Sequence, residues 1–392
     1  MTENDQVDHA SRVPKYRFAD TLSDQQAQLE ANPLMQRFAE SRRMLAGDKY
    51  RPLYHFVSPE STMNDPNGLC FWQGRWHLFY QGYPPEDPRQ HWGHATSDDL
   101  IHWHDLPYAI YPDPEYQCFS GATLVEEERV IAIYHGTRVG NMAAVSSDPL
   151  LLNWEKVTGQ AVIPISSPDG SPLPYRVFDP CIWEKGGLYY SLSGGGDPQM
   201  MTSKDLKTWT HVGTVFHEDY PKDISSSRKQ DVSCANMFKI GDRWMLLCID
   251  HALGARYFLG DFKDGHYLPT YHSLLNWVER DVFAPETLLT PDGRRIMFAW
   301  CLFNNSGKQK CKDHNFGALE KRQPSGVQML PRKLSLSKEG TLEIRPVREL
   351  EKLRTNPKSM NNVTVRDGSN IMAIFAPSVT FELEVTFTAP EA

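Results

Sequence analysis

The chain has 392 residues, of which 40% are hydrophobic and 23% charged, a composition that excludes intrinsically disordered and collagen-like proteins. Its 41 Lys and Arg residues against 49 Asp and Glu residues give a net charge of −8, so we expect neither a nucleic acid nor a membrane surface as partner. The 28 prolines and 26 glycines indicate many turns and argue against a helix bundle.

Cysteine usage and the first residues predict a cytoplasmic location. The cysteines are odd in number, widely scattered and mostly placed in apolar runs, which is typical of small buried side chains in a reducing compartment. They are Cys70, Cys118, Cys181, Cys234, Cys248, Cys301 and Cys311. The segment Met1–Asp5 contains acids where a signal peptide requires bases, and no apolar run has the length of a membrane span.

Residues 1–50 are predicted to form an N-terminal extension that is partly helical. Apolar residues recur at mixed helical spacing between Ser23 and Leu45, and Ser23 with Gln26 fits a capping box. Pro33 is expected to interrupt this helix. We predict that the helix packs against the main domain or a partner, whereas an interaction arm is the less favoured interpretation.

From Tyr54 onward the pattern changes to short apolar runs with period-two alternation, separated by Gly and Asp-Pro turns, which predicts β-strands. Clear examples are Gly74–Tyr80, Val130–Tyr134, Leu188–Leu192, Arg243–Leu247 and Arg295–Trp300.

A Ser/Asp–Leu–Trp pattern recurs along this region. Its tryptophans, Trp103, Trp154 and Trp209, stand 51 and 55 residues apart, and Leu100, Leu150 and Leu206 supply the leucines. A repeat of that size built from short strands is typical of a β-propeller blade. The fold class is therefore predicted as all-β, with a five-bladed β-propeller over residues 51–340.

The remaining residues, 341–392, are predicted to form a short β segment. Ile371–Phe375 and Val379–Phe387 alternate like strands, but roughly 50 residues are too few for an independent sandwich with a sizeable core. If Val379–Phe387 is an edge strand, it needs a partner, so a homo-oligomer formed through this segment is one expectation.

The string Met63–Gly68, with sequence MNDPNG, places a carboxylate on a rigid corner. Pro66 fixes the backbone, and Asn67 with Gly68 closes a turn, so Asp65 is held in place. An ordinary hairpin turn explains such a string by itself. The aromatic and polar segments that follow, Phe79–Pro84 and His91–Ala95, favour a functional site.

These segments, in this order, resemble glycoside hydrolase family 32, the invertases, fructosidases, inulinases and levanases. Later pieces agree with it over roughly residues 50–350: Phe119–Gly121, Phe178–Pro180, Phe283–Glu286, Gly293–Ile296 and Leu330–Arg332. The resemblance implies a five-bladed propeller followed by a β-sandwich, and residues 341–392 resemble the start of that sandwich.

The resemblance also implies a retaining glycosidase that acts on β-fructofuranosides, with no cofactor and no metal. Asp65 corresponds to the nucleophile and Asp179 to the residue that stabilises the oxocarbenium-like transition state. The implied sugar subsite contains Asn64, Gln81, Trp92, Phe119 and Ser120. The positions Asp65, Ser120, Asp179, Ser233 and Glu286 stand 55, 59, 54 and 53 residues apart, which predicts one per blade around a shared pocket.

The sequence departs from the family at two positions. Phe178 replaces the Arg that precedes the stabilising Asp, and Arg176, on the same predicted strand face, is the candidate substitute. Ser233-Cys234 stands where the family has Glu-Cys, and a serine hydroxyl is no general acid near neutral pH. Arg176, Ser233 and Cys234 complete the predicted substrate-binding set.

Two carboxylates are candidates for the missing acid. Asp231 precedes Ser233 by two residues and therefore shares its strand face. Glu286 lies on the next blade, where Phe283 and Pro285 would partly desolvate its carboxyl and raise its pKa. Glu286 is narrowly preferred over Asp231 as the acid. Fructoside hydrolysis is the favoured function. A fructosyltransferase, a weak or inactive fructoside-binding protein, and a structural propeller that depends on a partner are the alternatives.

Overall fold

Five antiparallel sheets make up most of the chain. Each sheet is a four-stranded meander, and two of the sheets have one additional short strand. The computed structural model describes residues 10–224, 226–227, 229, 231–275, 282–301, 326–364 and 380–386. The chain divides into two units, Met1–Pro346 and Val347–Ala392. The prediction of an all-β, five-bladed propeller is confirmed.

The strands follow the chain blade by blade. The first sheet contains β1 to β4, which are Met63–Trp72, Arg75–Gly82, His91–Ser97 and Trp103–Ile110. The second contains β5 to β9, which are Cys118–Val125, Val130–Gly136, Gly140–Ser146, Glu155–Lys156 and Ile163–Pro164. The third contains β10 to β13, which are Pro180–Lys185, Leu188–Ser193, Gln199–Ser203 and Trp209–Thr214. The fourth contains β14 to β17, which are Ser233–Ile240, Arg243–Asp250, Gly254–Lys263 and His266–Leu274. The fifth contains β18 to β22, which are Val282–Leu289, Arg295–Cys301, Val327–Gln328, Arg332–Leu336 and Leu342–Pro346.

The first strand of every sheet lies at the centre of the propeller. Strands β1, β5, β10, β14 and β18 each contact the next, and β18 contacts β1, so the ring closes. Gln328 fastens the closure, because its backbone N donates to the carbonyl of Phe56 at 2.9 Å and its Nε2 donates to the carbonyl of Asn64 at 2.8 Å. Residues at the start of the five inner strands therefore converge.

The tryptophan repeat is a turn that joins the third and fourth strands of the first three blades. In each case a buried leucine adopts a left-handed backbone, and the indole N–H three residues later donates to that leucine's carbonyl at 2.8–3.2 Å. The pairs are Leu100 with Trp103, Leu151 with Trp154 and Leu206 with Trp209. The leucine of the second turn is thus Leu151, one residue beyond the predicted Leu150.

The N-terminal extension forms two helices, α1 at Leu22–Ala31 and α2 at Pro33–Leu45. Thr21 caps α1 by accepting from the backbone N of Asp24, so the predicted capping box at Ser23 is wrong. The expected interruption is present, because Asn32 caps α2 and Pro33 occupies its first turn.

The extension packs on the outer face of the first blade, as predicted. Leu34 and Phe38 of α2 are buried with Tyr108 of β4, and the Arg42 guanidinium pairs with the Asp105 carboxylate. No helix in the residues described by the structure is long and apolar enough to cross a membrane.

The C-terminal residues differ from the prediction. Strand β22 pairs with β21, so the fifth sheet extends beyond residue 340. In the second unit, residues 348–353 form a 3₁₀-helix and residues 380–386 form no strand. The predicted strand over Val379–Phe387 is therefore wrong for its described part. The one predicted at Ile371–Phe375 lies outside the described residues.

Candidate active site

Asp65 lies in a bulge at the start of β1, between the pairs Met63–Gly82 and Pro66–Tyr80. Its carboxylate is 8% exposed. Oδ2 accepts hydrogen bonds from Ser120 Oγ at 2.7 Å, from Gln81 Nε2 at 3.2 Å and from Cys234 Sγ at 3.5 Å. The donors come from three strands, so the orientation of the carboxylate is fixed by three neighbouring elements.

A chain of side-chain hydrogen bonds supports this carboxylate. Asn64 Nδ2 donates to Tyr83 Oη at 2.8 Å, and Gln90 Nε2 donates both to Tyr83 Oη at 2.9 Å and to Gln81 Oε1 at 3.3 Å. All four side chains are buried. Asn64 and Gln81 therefore lie at the predicted subsite. Tyr83 and Gln90, which sequence reasoning missed, orient them.

Cys234 connects the two predicted catalytic aspartates. Its Sγ is 3.5 Å from Asp65 Oδ2 and 3.9 Å from Asp179 Oδ2. Its backbone φ is 47°, a left-handed conformation that is unfavourable for a residue with a side chain. The bulge of β14 imposes that conformation and brings the thiol between the carboxylates, consistent with its predicted place at the substrate-binding site.

The surroundings of both aspartates make their carboxyl groups harder to ionise than usual. Burial raises the pKa of Asp65 to about 6, and the nearby Asp179 charge acts in the same direction while Ser120 opposes it. Burial also raises the pKa of Asp179 to about 6, against the opposing effect of His251. Burial, followed by the charges of the two aspartates, raises the pKa of the Cys234 thiol well above its usual value, so this thiol remains protonated and acts as a donor.

A cavity of about 660 Å³ opens beside these residues, between the third and fourth blades. Arg176 and Phe178 both line it. They lie in an irregular segment before β10 and not in the strand that the sequence predicted, and the substitution of Arg176 for the family's Arg stays a prediction. Asp65 and Asp179 are not among its lining residues, but Cys234, which follows the lining residue Ser233, contacts both carboxylates.

Asp231, Ser233 and His251 also line the cavity, and Asp231 is hydrogen-bonded to each of the other two. Ser233 Oγ donates to Asp231 Oδ1 at 2.8 Å, and His251 Nδ1 makes a short hydrogen bond with Asp231 Oδ2. His251 interacts electrostatically with both Asp65 and Asp179. No sequence motif marks His251, because it belongs to a hairpin turn 20 residues downstream of its partner.

The structure does not bring Glu286 to the cavity. Its carboxylate is 4% exposed and accepts a short hydrogen bond from Asn236 Nδ2, whose Oδ1 accepts from Thr287. Glu286 is therefore absent from the cavity that Asp231 and Ser233 line, and its opening on a pocket shared with Asp65 stays a prediction. Burial raises the pKa of Glu286 well above its usual value, although Asn236 and the charge of Arg295 oppose that shift.

Strand register explains the misplacement. Each of the inner strands β1, β5, β14 and β18 has a bulge near its start, and Asp65, Ser120, Ala235 and Pro285 occupy the same place in it. Glu286 follows by one residue and Ser233 precedes by two. A shift of one residue turns a side chain to the opposite face, which sends Glu286 into the packing between blades.

The structure places Trp92, which was predicted for the sugar subsite, in a hydrophobic cluster with residues of the first two blades. It is fully buried, packs against Phe79 and Tyr134, and donates its indole N–H to the carbonyl of Phe119 at 2.9 Å. It supports half-buried Phe119, the residue next to Ser120. In the described part of the chain, no group of three or more His, Cys, Asp or Glu side chains is arranged to hold a metal ion.

Comparisons with known proteins agree with this geometry. The pattern of the glycosyl hydrolases family 32 N-terminal domain matches residues 55–346. The chain is 29% identical to a levanase of Bacillus subtilis over 87% of its own length and 53% of the levanase. It is 28% identical to a sucrose-6-phosphate hydrolase of Zymomonas mobilis over 87% of its own length and 70% of that enzyme. Among solved structures, a β-fructofuranosidase variant of Bombyx mori in complex with sucrose is 25% identical with a TM-score of 0.64, covering 84% of this chain and 71% of the other. The chain thus spans about half the length of the levanase.

Proposed function

The chain belongs to glycoside hydrolase family 32, and from that premise we propose that it is a glycosidase that cleaves β-fructofuranosides with retention of configuration. The observation that carries the proposal is the fixed, buried Asp65 carboxylate next to Asp179, with Cys234 between them. Retention of configuration requires a carboxylate nucleophile held at the anomeric carbon, and Asp65 is the group proposed for that role.

In the proposed mechanism Asp65 attacks the anomeric carbon of the fructosyl unit. All three of its hydrogen bonds reach Oδ2, so Oδ1 is the oxygen assigned to form the covalent intermediate. Asp179, on the other side of Cys234, accepts hydrogen bonds from fructose hydroxyls and stabilises the positive charge that develops on the ring. Asn64, Gln81, Phe119 and Ser120 form the fructosyl subsite.

The relatives support sucrose and fructans as the substrate class, because their names describe a levanase and a sucrose-6-phosphate hydrolase, and the structural relative contains sucrose. Linkage and chain length depend on the loops that line the cavity, such as the segment containing Arg176 and Phe178.

The decisive experiment incubates the purified chain with sucrose, inulin and levan oligosaccharides and measures released fructose and new oligosaccharides by chromatography. Asp65→Asn should abolish turnover without lowering the melting temperature, because it removes a buried charge and keeps the shape. Asp98→Asn, at an exposed turn of the first blade, is the matched control and should retain full turnover. Turnover of Asp65→Asn within tenfold of the wild type would refute the proposal.

A fructoside-binding protein is the second candidate, and Ser233 is the observation that favours it, since a hydroxyl stands at the position of the family's acid. Binding of sucrose measured by calorimetry, without turnover of any fructoside, would support this candidate. Predominant formation of longer oligosaccharides would instead indicate a fructosyltransferase.

The cytoplasmic location and the oligomeric state are part of the proposal. Cys70, Cys118, Cys181, Cys234 and Cys248 are free thiols, which is consistent with a reducing compartment, and cell fractionation tests the location. Light scattering on the full chain tests the homo-oligomer expected through residues 341–392. We expect no nucleic acid or membrane partner.

A further inference from the structure

We infer that His251, positioned by Asp231, is the general acid and base of this site and replaces the carboxylic acid that is missing at Ser233. The inference rests on the proposed fructoside chemistry and assigns its leaving-group step.

Strand pairing brings His251 to the region of Ser233. Ser233 opens β14 and is paired with Ile249 of β15, and β15 ends at Asp250. The turn after β15 therefore carries His251 past Ser233 and back toward Asp231, which precedes β14. The side chains of Asp231, Ser233 and His251 line the same cavity, and His251 is close enough to Asp65 and Asp179 to interact electrostatically with both.

Asp231 fixes the orientation of the imidazole. Its Oδ2 accepts hydrogen bonds from the backbone N of His251 at 3.3 Å and from the ring Nδ1. Its Oδ1 accepts from Ser233 Oγ at 2.8 Å. With Nδ1 committed to the carboxylate, Nε2 at the opposite side of the ring is the atom that exchanges a proton with substrate. The ring also makes an edge contact with Phe283, with centroids 6.0 Å apart.

The two carboxylates suggested by the sequence suit the role less well. Burial acts to raise the pKa of Asp231, but the hydrogen bonds from His251 and Ser233 outweigh it and lower the pKa below the usual value, so the protonated form is scarce at neutral pH. Glu286 is hydrogen-bonded to Asn236 and does not line the cavity.

The groups around His251 favour its protonated form. The hydrogen bond from Asp231 raises its pKa above the usual value, partial burial opposes this, and the charges of Asp231, Asp179 and Asp65 reinforce it. Arg176 is the cation that lines the same cavity. Because these anions favour the imidazolium, His251 is suited to hold a proton and donate it to a leaving group.

The proton balance closes over two steps. As Asp65 Oδ1 bonds to the anomeric carbon, the bond from that carbon to the leaving-group oxygen breaks, and this oxygen takes the proton from His251 Nε2. In the second step the neutral Nε2 takes a proton from water while the water oxygen attacks the anomeric carbon and releases Asp65. The imidazolium is regenerated.

The test compares sucrose with p-nitrophenyl β-fructofuranoside, whose leaving group needs no protonation. His251→Gln should lower kcat/KM on sucrose by about 10²–10⁴-fold. On the aryl fructoside, the rate of the first step should stay within about threefold of the wild-type rate. The wild-type profile of kcat/KM on sucrose should fall at high pH, and His251→Gln should lose that fall. Asp231→Asn should shift the fall to lower pH, because it removes the anion that stabilises the imidazolium.

His102→Gln is the matched control, since His102 forms an exposed pair with Asp99 at 3.0 Å on a turn of the first blade, and it should leave both substrates unchanged. Equal losses of His251→Gln on both substrates, or full activity on sucrose, would overturn the inference. A wild type that cleaves only the aryl fructoside would overturn it while keeping the proposed function. A wild type inactive on both substrates removes the proposed function and this inference together.

Discussion

The hydrogen bond from Ser120 to Asp65 should set the acidic side of the activity profile. The bond is 2.7 Å long and lies in a buried setting where the pKa of Asp65 is about 6. Ser120→Ala removes this donor, while Gln81 and Cys234 still donate to the same oxygen. A hydrogen bond to a charged group contributes about 1.5–3 kcal/mol, and one pKa unit corresponds to about 1.4 kcal/mol. The remaining donors compensate partly, so we expect a rise of about one unit.

The sign follows from the nucleophile, which must be ionised to attack. At pH 6 about half of the wild-type carboxyl is ionised, against about one-eleventh when its pKa is about 7. The substitution should therefore lower kcat/KM about fivefold more at pH 6 than at pH 8, because at pH 8 the Asp65 carboxyl is largely ionised in both proteins. If Ser120→Ala only removed a contact with the sugar, kcat/KM would fall by the same factor at pH 6 and at pH 8.

The assay measures kcat/KM on p-nitrophenyl β-fructofuranoside from pH 5 to 8.5, with the aryl substrate chosen to isolate the nucleophile from the acid. Ser191→Ala is the control, because Ser191 is fully buried in β11 of the third blade and its hydroxyl has no hydrogen-bond partner. A Ser120→Ala profile parallel to that of the wild type over the whole range would refute the claim that this bond governs ionisation of Asp65.

Two further predictions concern the packing between blades and the repeated turn. Glu286→Gln should keep turnover within about threefold of the wild type. It should also flatten the dependence of melting temperature on pH, because a carboxyl whose pKa is raised in the folded state makes the protein less stable as pH rises above the unfolded-state pKa. A 10²-fold loss of turnover on sucrose alone would return the acid role to Glu286. Leu206→Ala should lower the free energy of unfolding, measured in urea titrations, by about 2–5 kcal/mol. Leu206→Gly should be no less stable than the alanine variant, because glycine suits the backbone φ of 66°. A glycine variant clearly less stable than the alanine variant would contradict the strain argument.

The sequence predicted the blades well because a repeat period survives small changes in loop length. It predicted the residues of the shared pocket less well, because side-chain direction depends on single-residue register. Asp65 and Ser120 stand at the same place in their bulges, but Ala235 and Pro285 occupy that place in the fourth and fifth sheets. Spacing of 53 or 54 residues could not resolve a shift of one or two.

His251 could not be predicted for a different reason. Its partner Asp231 is 20 residues away, and the contact exists because β14 and β15 pair antiparallel with Ser233 opposite Ile249. Only knowledge of that register shows which turn residue returns to the start of β14. The motif strings, by contrast, drew attention to Asp65 and Gln81, and the structure brings these two side chains within hydrogen-bond distance of each other.

The distribution of the site over separate sheets has a consequence for how such a protein diverges. Ser120 and Gln81, which donate to the proposed nucleophile Asp65, belong to the first two sheets. Cys234, Ser233, Asp231 and His251 belong to the fourth sheet or its adjoining segments, and each sheet is closed by its own hairpins. A substitution at the leaving-group end therefore leaves the hydrogen bonds of Ser120 and Gln81 to Asp65 in place. Under the proposed roles, a lineage can lose one proton donor and recruit another from the neighbouring hairpin, while the side chains proposed to bind the fructosyl unit stay as they were.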